Sequence, residues 1–114
     1  IDQQTGVMRR AGAVFLRRQN GSRRIVLELR RVADESSIYP LGLEVTIPSA
    51  SGGINRRLIV AAEGPSSQRF AFELPSDLGS AAAVDVLIEA DRVGVDSSGL
   101  VPWSVVVVRV SQEP

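Results

Sequence analysis

Apolar residues recur at every second position through most of this chain, and turn signals interrupt them every eight to twelve residues. A period of two sends alternate side chains to opposite faces of an extended strand, so each run has one face to bury. The clearest unit covers residues 12–32, where two alternating segments flank Gln19-Asn20-Gly21-Ser22. Asn-Gly favours a tight reversal because both central positions accept positive φ. With Asn20-Gly21 as the loop, opposed residue numbers sum to 41. Leu16 then faces Ile25, Val14 faces Leu27 and Gly12 faces Leu29 on one side. On the other side Phe15 meets Val26, Ala13 meets Glu28 and Arg17 meets Arg24. The expectation is a β-hairpin.

Similar segments follow. Leu41–Ile47 alternates Leu41, Leu43, Val45 and Ile47 against Gly42, Glu44 and Thr46, and ends at Pro48 and a Ser/Gly-rich loop. Residues 57–63, 69–74 and 83–91 predict three more strands, and a single helical turn fits from Ser76. In 83–91 the inward row is Val84, Val86, Ile88 and Ala90, and Leu87 is the odd apolar member of an otherwise acidic outward row. Residues 93–99 read as a loop or short hairpin. Residues 103–110 form a last strand that is apolar on both faces, which places it centrally or under cover on both sides. No amphipathic helix of useful length and no bilayer-spanning run is present.

About seven short antiparallel strands predict an all-β, two-sheet sandwich of immunoglobulin-like architecture, with a small β-barrel as the alternative. The chain lacks a cysteine pair, and its one tryptophan precedes the last strand, so the comparison concerns architecture only. Residues 1–114 read as one domain, with 1–8 as a loosely held N-terminal arm. Ile1 in place of an initiator methionine reads as a fragment or a processed product.

Charge is distributed unevenly along this pattern. The chain has thirteen arginines and no lysine. Ten arginines lie in residues 1–57, all in doublets, against five acids, for a net charge of +5. Residues 58–114 carry three arginines and eight acids, a net of −5. Two arrangements follow. Basic and acidic strands can lie side by side, with pairs such as Arg30 or Arg57 against Glu44. Alternatively, the charges segregate onto two surfaces and favour self-association or a charged partner.

Cysteine, histidine and lysine are all absent. Their absence removes disulfides, thiolate metal sites, the commonest general base and Schiff-base chemistry. Ser36-Ser37, Ser66-Ser67 and Ser97-Ser98 have no histidine or lysine to activate them. Asp34-Glu35 is adjacent in a loop, and its side chains diverge. No metal and no cofactor are expected: the acidic row Asp85, Glu89 and Asp91 with the loop Asp96-Ser97-Ser98-Gly99 would suit calcium, but the spacing from Asp91 to Asp96 matches no EF-hand, and a solvated face pairing with arginines is the preferred reading.

Two groups are candidates for ligand binding. Arg17, Arg18, Arg23 and Arg24 bracket the reversal and would offer a phosphate or sulfated glycan an anion-binding tip, unless carboxylates from other strands neutralise them. Trp103, with Tyr39, would serve a carbohydrate as a small platform, unless Trp103 plugs the core. Nucleic acid is disfavoured because no aromatic residue sits among the arginines to stack bases.

The expected function is a non-catalytic accessory or protein-interaction module of a larger exported protein, extracellular or periplasmic. Its partners would be a protein or a second copy of itself. A carbohydrate- or anion-binding module, or a structural subunit of an assembly, are the alternatives.

Overall fold

The structure, a computed structural model, describes residues 1–32, 38–78, 82–95 and 102–114. Among them lie β1 (Val7–Met8), β2 (Ala11–Arg17), β3 (Arg24–Arg30), β4 (Leu41–Ile47), β5 (Ile54–Val60), β6 (Ser67–Glu73), β7 (Ala83–Ala90), β8 (Gly94–Val95), β9 (Pro102–Trp103) and β10 (Val105–Glu113). Sheet A has the order β1-β10-β3-β6, sheet B the order β2-β7-β4-β5, and β8 and β9 form a two-stranded ribbon. The inward rows of both sheets meet in one core that includes Ile25, Leu27, Leu29, Leu41, Leu43, Val84 and Val86. This is the antiparallel sandwich the alternation predicts. It is not a barrel, because each sheet ends on strands paired along one side only.

The strand order refines the immunoglobulin-like description. In that fold the last strand shares a sheet with its predecessor; here β10 and β7 lie in different sheets. The strands pair as a nested series: β4 with β5, β3 with β6, β2 with β7 and β1 with β10. Partner numbers sum to 101 for Leu41 with Val60, 97 for Arg24 with Glu73, 100 for Ala11 with Glu89 and 113 for Val7 with Val106. The chain is thus doubled back once, near residues 49–53, and the doubled ribbon is wrapped so that β10 meets β3 and β7 meets β4. That is jelly-roll connectivity, two sheets of four strands.

The hairpin expected over residues 12–32 is not formed. The reversal itself is present: Ser22 N–H donates to the Gln19 carbonyl at 3.2 Å, with Gly21 at φ 79°. However, β2 pairs with β7, whereas β3 lies between β10 and β6 in the opposite sheet. The rows of Leu16 and Val14 and of Ile25 and Leu27 both face the core, from opposite walls. Turn chemistry fixes a reversal but does not decide whether the flanking strands pair side by side or face each other. Gln112 ties this crossover down: its Oε1 accepts from Gln19 N–H at 3.0 Å and from Ser22 Oγ at 3.1 Å, and its Nε2 donates to the Arg17 carbonyl at 2.8 Å.

Two further segments depart from expectation. β10 is central, as its apolar character implies, but the run at residues 105–108 reflects a bulge as well. Pairing with β3 skips Val108, which is 44% exposed, and the inward row shifts from Val105 and Val107 to Val110 and Gln112. β5 starts at Ile54 rather than residue 57 because Ile54, Asn55 and Arg56 pair with Ile47, Thr46 and Val45. The N-terminal arm carries contacts of its own. Asp2 Oδ1 accepts from the N–H groups of Gln4 (2.8 Å) and Thr5 (2.9 Å), which hold its carboxyl below the usual range. Met8 is fully buried.

The expected turn at Ser76 is a single 3-10 turn, Ser76–Leu78. Its Asp77 carboxylate accepts from Ser51 N–H at 2.8 Å and Ser49 Oγ at 3.0 Å, clamping the β4–β5 reversal. These bonds hold its pKa at about 2. A depressed carboxylate contributes stability above its unfolded value, near 3.9, and loses it as pH falls through the folded value. Acid titration should therefore show a loss between about pH 4 and pH 2, and Asp77→Asn should remove that part of the pH dependence.

At the opposite end, Tyr39 and Ser104 join three segments. The Tyr39 hydroxyl accepts from Val32 N–H at 2.9 Å and donates to the Ser104 carbonyl at 2.6 Å, and burial pushes its pKa up. Ser104 Oγ donates to the carbonyls of Met8 (3.0 Å) and Arg9 (2.6 Å). Tyr39→Phe leaves a donor and an acceptor without this partner and should cost about 1–3 kcal/mol in denaturant unfolding.

Candidate functional site

The four arginines of the expected tip are divided between the sheets. Arg17 ends β2 in sheet B, opposite Ala83 rather than Arg24. Arg24 starts β3 in sheet A between Glu73 and Glu113, with its Nη2 3.8 Å from the Glu113 carboxylate. Arg18 and Arg23 line a hollow of about 330 Å³ with Ser22, Glu73 and Pro75. No four-arginine cradle results, and acids from later strands approach the cluster. Trp103 is 6% exposed. A side chain at Gly94 would collide with its indole ring, so the tryptophan plugs the core and offers a sugar no open face.

On the outer face of sheet A two charged rows alternate in sign, and Arg30 stands apart between Val106 and Ser67. One cross-strand row reads Glu113, Arg24, Glu73; the next Ser111, Val26, Ala71; the third Arg109, Glu28, Arg69. Acid–base–acid is followed by base–acid–base, so each charge has an opposite neighbour on its row, and Arg69 also forms an ion pair with Glu113. Val26 is outward by register yet only 4% exposed, which fits cover by the long side chains around it. The basic and acidic halves of the chain are therefore interleaved on this face, because the doubled ribbon lays one against the other.

The outer face of sheet B differs. One row reads Ala13, Leu87, Thr46, Asn55, and the next Ala11, Glu89, Glu44, Arg57. Phe15 is 71% exposed and Leu87 40%. Glu44 and Glu89 stand directly opposite each other, an unfavourable like-charge pair. Arg57, the register partner of Glu44, forms its ion pair with Asp91 at 3.0 Å, and Arg92 lies 3.5 Å from the same carboxylate. Among the described residues neither Glu44 nor Glu89 forms an ion pair, as is true of Glu28 and Glu73 on sheet A; what distinguishes Glu44 and Glu89 is that they oppose each other. A groove of about 470 Å³ runs over this area, lined by Ala11, Ala13, Glu44, Thr46, Leu87 and Glu89. Apolar floor, carboxylate rim and open access suit a partner with apolar and cationic groups.

Of the acidic row, Asp85 and Glu89 lie on this face, while Asp91 follows β7. Asp96 to Gly99, Asp34-Glu35 and Ser36-Ser37 lie outside the described residues. Among the described residues no three side chains are grouped to hold a metal ion, and no helix is long and apolar enough to cross a membrane. No protein-family model, curated protein or solved structure matches the chain.

Sequence reasoning picked out Leu87 as an outward apolar residue but missed the carboxylate pair. Glu44 and Glu89 are 45 positions apart and meet only because β4 and β7 are neighbours. Phe15 was placed on the face opposite Val14 and Leu16, with the wrong neighbour: it faces Asp85, not Val26.

Proposed function

We propose that this chain is a non-catalytic protein-interaction module that works through the outer face of sheet B. The observation that supports this reading is the contrast between the two outer faces. Sheet A carries two charged rows that alternate in sign. Sheet B carries exposed Phe15 and Leu87 beside Glu44 and Glu89, two carboxylates set directly opposite each other. Apolar surface beside opposed like charges is what association covers and neutralises. The module belongs, in this reading, to a larger exported protein, in an extracellular or periplasmic setting.

A photoreactive side chain at position 87 should link to a discrete protein species, and the same group at position 69 on sheet A should not. Glu44→Arg combined with Glu89→Arg should abolish the product. Equal labelling at both positions, or labelling insensitive to the charge reversal, overturns the reading. A second reading, anion or sulfated-glycan binding, rests on Arg18 and Arg23 at the 330 Å³ hollow. Glu73 in the same hollow counts against it. A thermal shift with sulfated sugars, abolished by Arg23→Ala, would favour it over the first.

A further inference from the structure

The four sheet edges are unequally protected. Exposed edge strands are normally shortened, charged or bent, because their unpaired backbone groups template pairing with another chain. β1 is two residues long. β5 carries Arg56 in its inward row, opposite buried Val45. β6 carries Arg69 and Glu73, and its Gln68 folds back onto Ala61. Among the described residues β2 carries none of these devices: Ala11 to Leu16, β2 without its arginine, contains no charge and no proline, and only the N-terminal arm approaches it, with Ile1 packed against Gly12.

The backbone of β2 is set for a further strand. Arg18 N–H donates to the Ala82 carbonyl at 2.9 Å, and Ala90 N–H donates to the Arg10 carbonyl at 2.7 Å. Even-numbered residues thus turn their backbone groups toward β7, and Ala11, Ala13, Phe15 and Arg17 turn theirs to the free edge.

We propose that this edge takes a second copy of the chain, β2 pairing antiparallel with β2 of that copy about a twofold axis through Val14, so that two four-stranded sheets become one of eight. The inference rests on the reading of sheet B as the working face and names its partner. A twofold axis at Val14 opposes residues whose numbers sum to 28, twice the number of Val14. The edge-facing pairs are then Ala13 with Phe15 and Ala11 with Arg17 of the second copy, which exchange backbone hydrogen bonds. The outward row is two small residues followed by two large ones, so inversion sets each large side chain over a small one. Phe15 of the second copy crosses Ala13 toward Leu87, its neighbour on β7. Arg17 of the second copy crosses Ala11 toward Glu89 and Glu44, the next members of that row. The like-charge carboxylate pair gains its counterion, twice by symmetry. On the inner row Val14 meets Val14, and Leu16 of the second copy comes beside Gly12, whose inner side is covered by Ile1 and Met8 of its own chain. Such an interface is isologous and closes as a dimer.

Sedimentation should show a dimer at about 50 µM, and Phe15→Arg and Arg17→Glu should each weaken it by tenfold or more. Arg17→Glu combined with Glu89→Arg should restore it. Thermal midpoints should stay within about 2 °C of the dissociated parent, since Phe15 and Arg17 are exposed. Register has its own test. Across the axis the two Val14 residues form a non-hydrogen-bonded pair with Cα atoms ~4.5 Å apart, within disulfide reach. The chain has no cysteine, so Val14→Cys should link spontaneously into a covalent dimer, and Ser67→Cys on the β6 edge should not. A parent that stays monomeric to about 1 mM, far beyond ordinary affinities, or a Val14→Cys that links no faster than Ser67→Cys, overturns the pairing. Capture of a different protein at position 87 by a monomeric chain keeps the interaction face and rejects the second copy; no dimer and no capture rejects both.

Discussion

Leu43→Ala should lower the unfolding free energy by about 3 kcal/mol, within the range of 2–5 kcal/mol for large-to-small changes at buried sites. Leu43 has no exposed surface and lies in β4 between Leu58 and Ala90, the strand neighbours on its two sides. Removing its branched end leaves a cavity in the middle of the core, which β5 and β7 cannot both move to fill. In a domain of this size the loss corresponds to a fall of roughly 10–15 °C in thermal midpoint. Ile59→Ala is the control. Ile59 is on the same sheet but half exposed, at 50%, and its truncation should cost no more than about 0.5 kcal/mol. Denaturant titration of both variants tests the assignment of inward and outward rows. Equal losses would mean that the rows are misplaced.

Gly53→Ala should cost nearly as much, about 3 kcal/mol, through a different mechanism. Gly53 has φ 86°, where a side chain is strained whatever the space around it. Its added methyl would also collide with the Ile47 carbonyl oxygen and stand 2.7 Å from Pro48 Cα. Both are backbone atoms of the strand that Gly53 reverses, so no side chain can rotate out of the way. Gly64 offers the comparison: its φ is 83°, but nothing lies within 4 Å of an added methyl. Gly64→Ala should show the conformational penalty alone, about 1–2 kcal/mol. If the two variants unfold together, the collision at Gly53 relaxes without cost.

Which features of this fold could be read from the sequence follows from what is local. The inward rows of β4 and β7, the reversal at Asn20-Gly21 and the turn at Ser76 each depend on a few adjacent residues, and each was legible. The partner of β2 was not. Val14 and Leu16 show the same alternation whether their strand lies beside β3 or across the core from it. β5 was displaced in the reading because Arg56 occupies an inward position and masks the pattern. In β10 the bulge at Val108 makes a shift of register look like a strand apolar on both faces. The candidate site was less legible still. Its exposed apolar members, Phe15 and Leu87, stand out within their own strands, but the juxtaposition of Glu44 and Glu89 exists only once β4 and β7 are adjacent. Likewise the Tyr39–Ser104 bond spans 65 positions and has no local signature. The arginine doublets drew attention to the crossover, whereas the fold sets acids from its second half beside them.

The nested pairing also sets the order in which strand partners become available as the chain is made. The β4–β5 reversal can close as soon as residue 60 has emerged, but β3 must wait for β6, β2 for β7, and β1 for β10. Until those strands are made, the first half of the domain has its strand edges vacant, Ala11 to Leu16 among them. That half carries the five arginine doublets and a net charge of +5. Mutual repulsion among these segments keeps neighbouring unfinished chains apart, and the compensating acids arrive with the strands that complete the sheets.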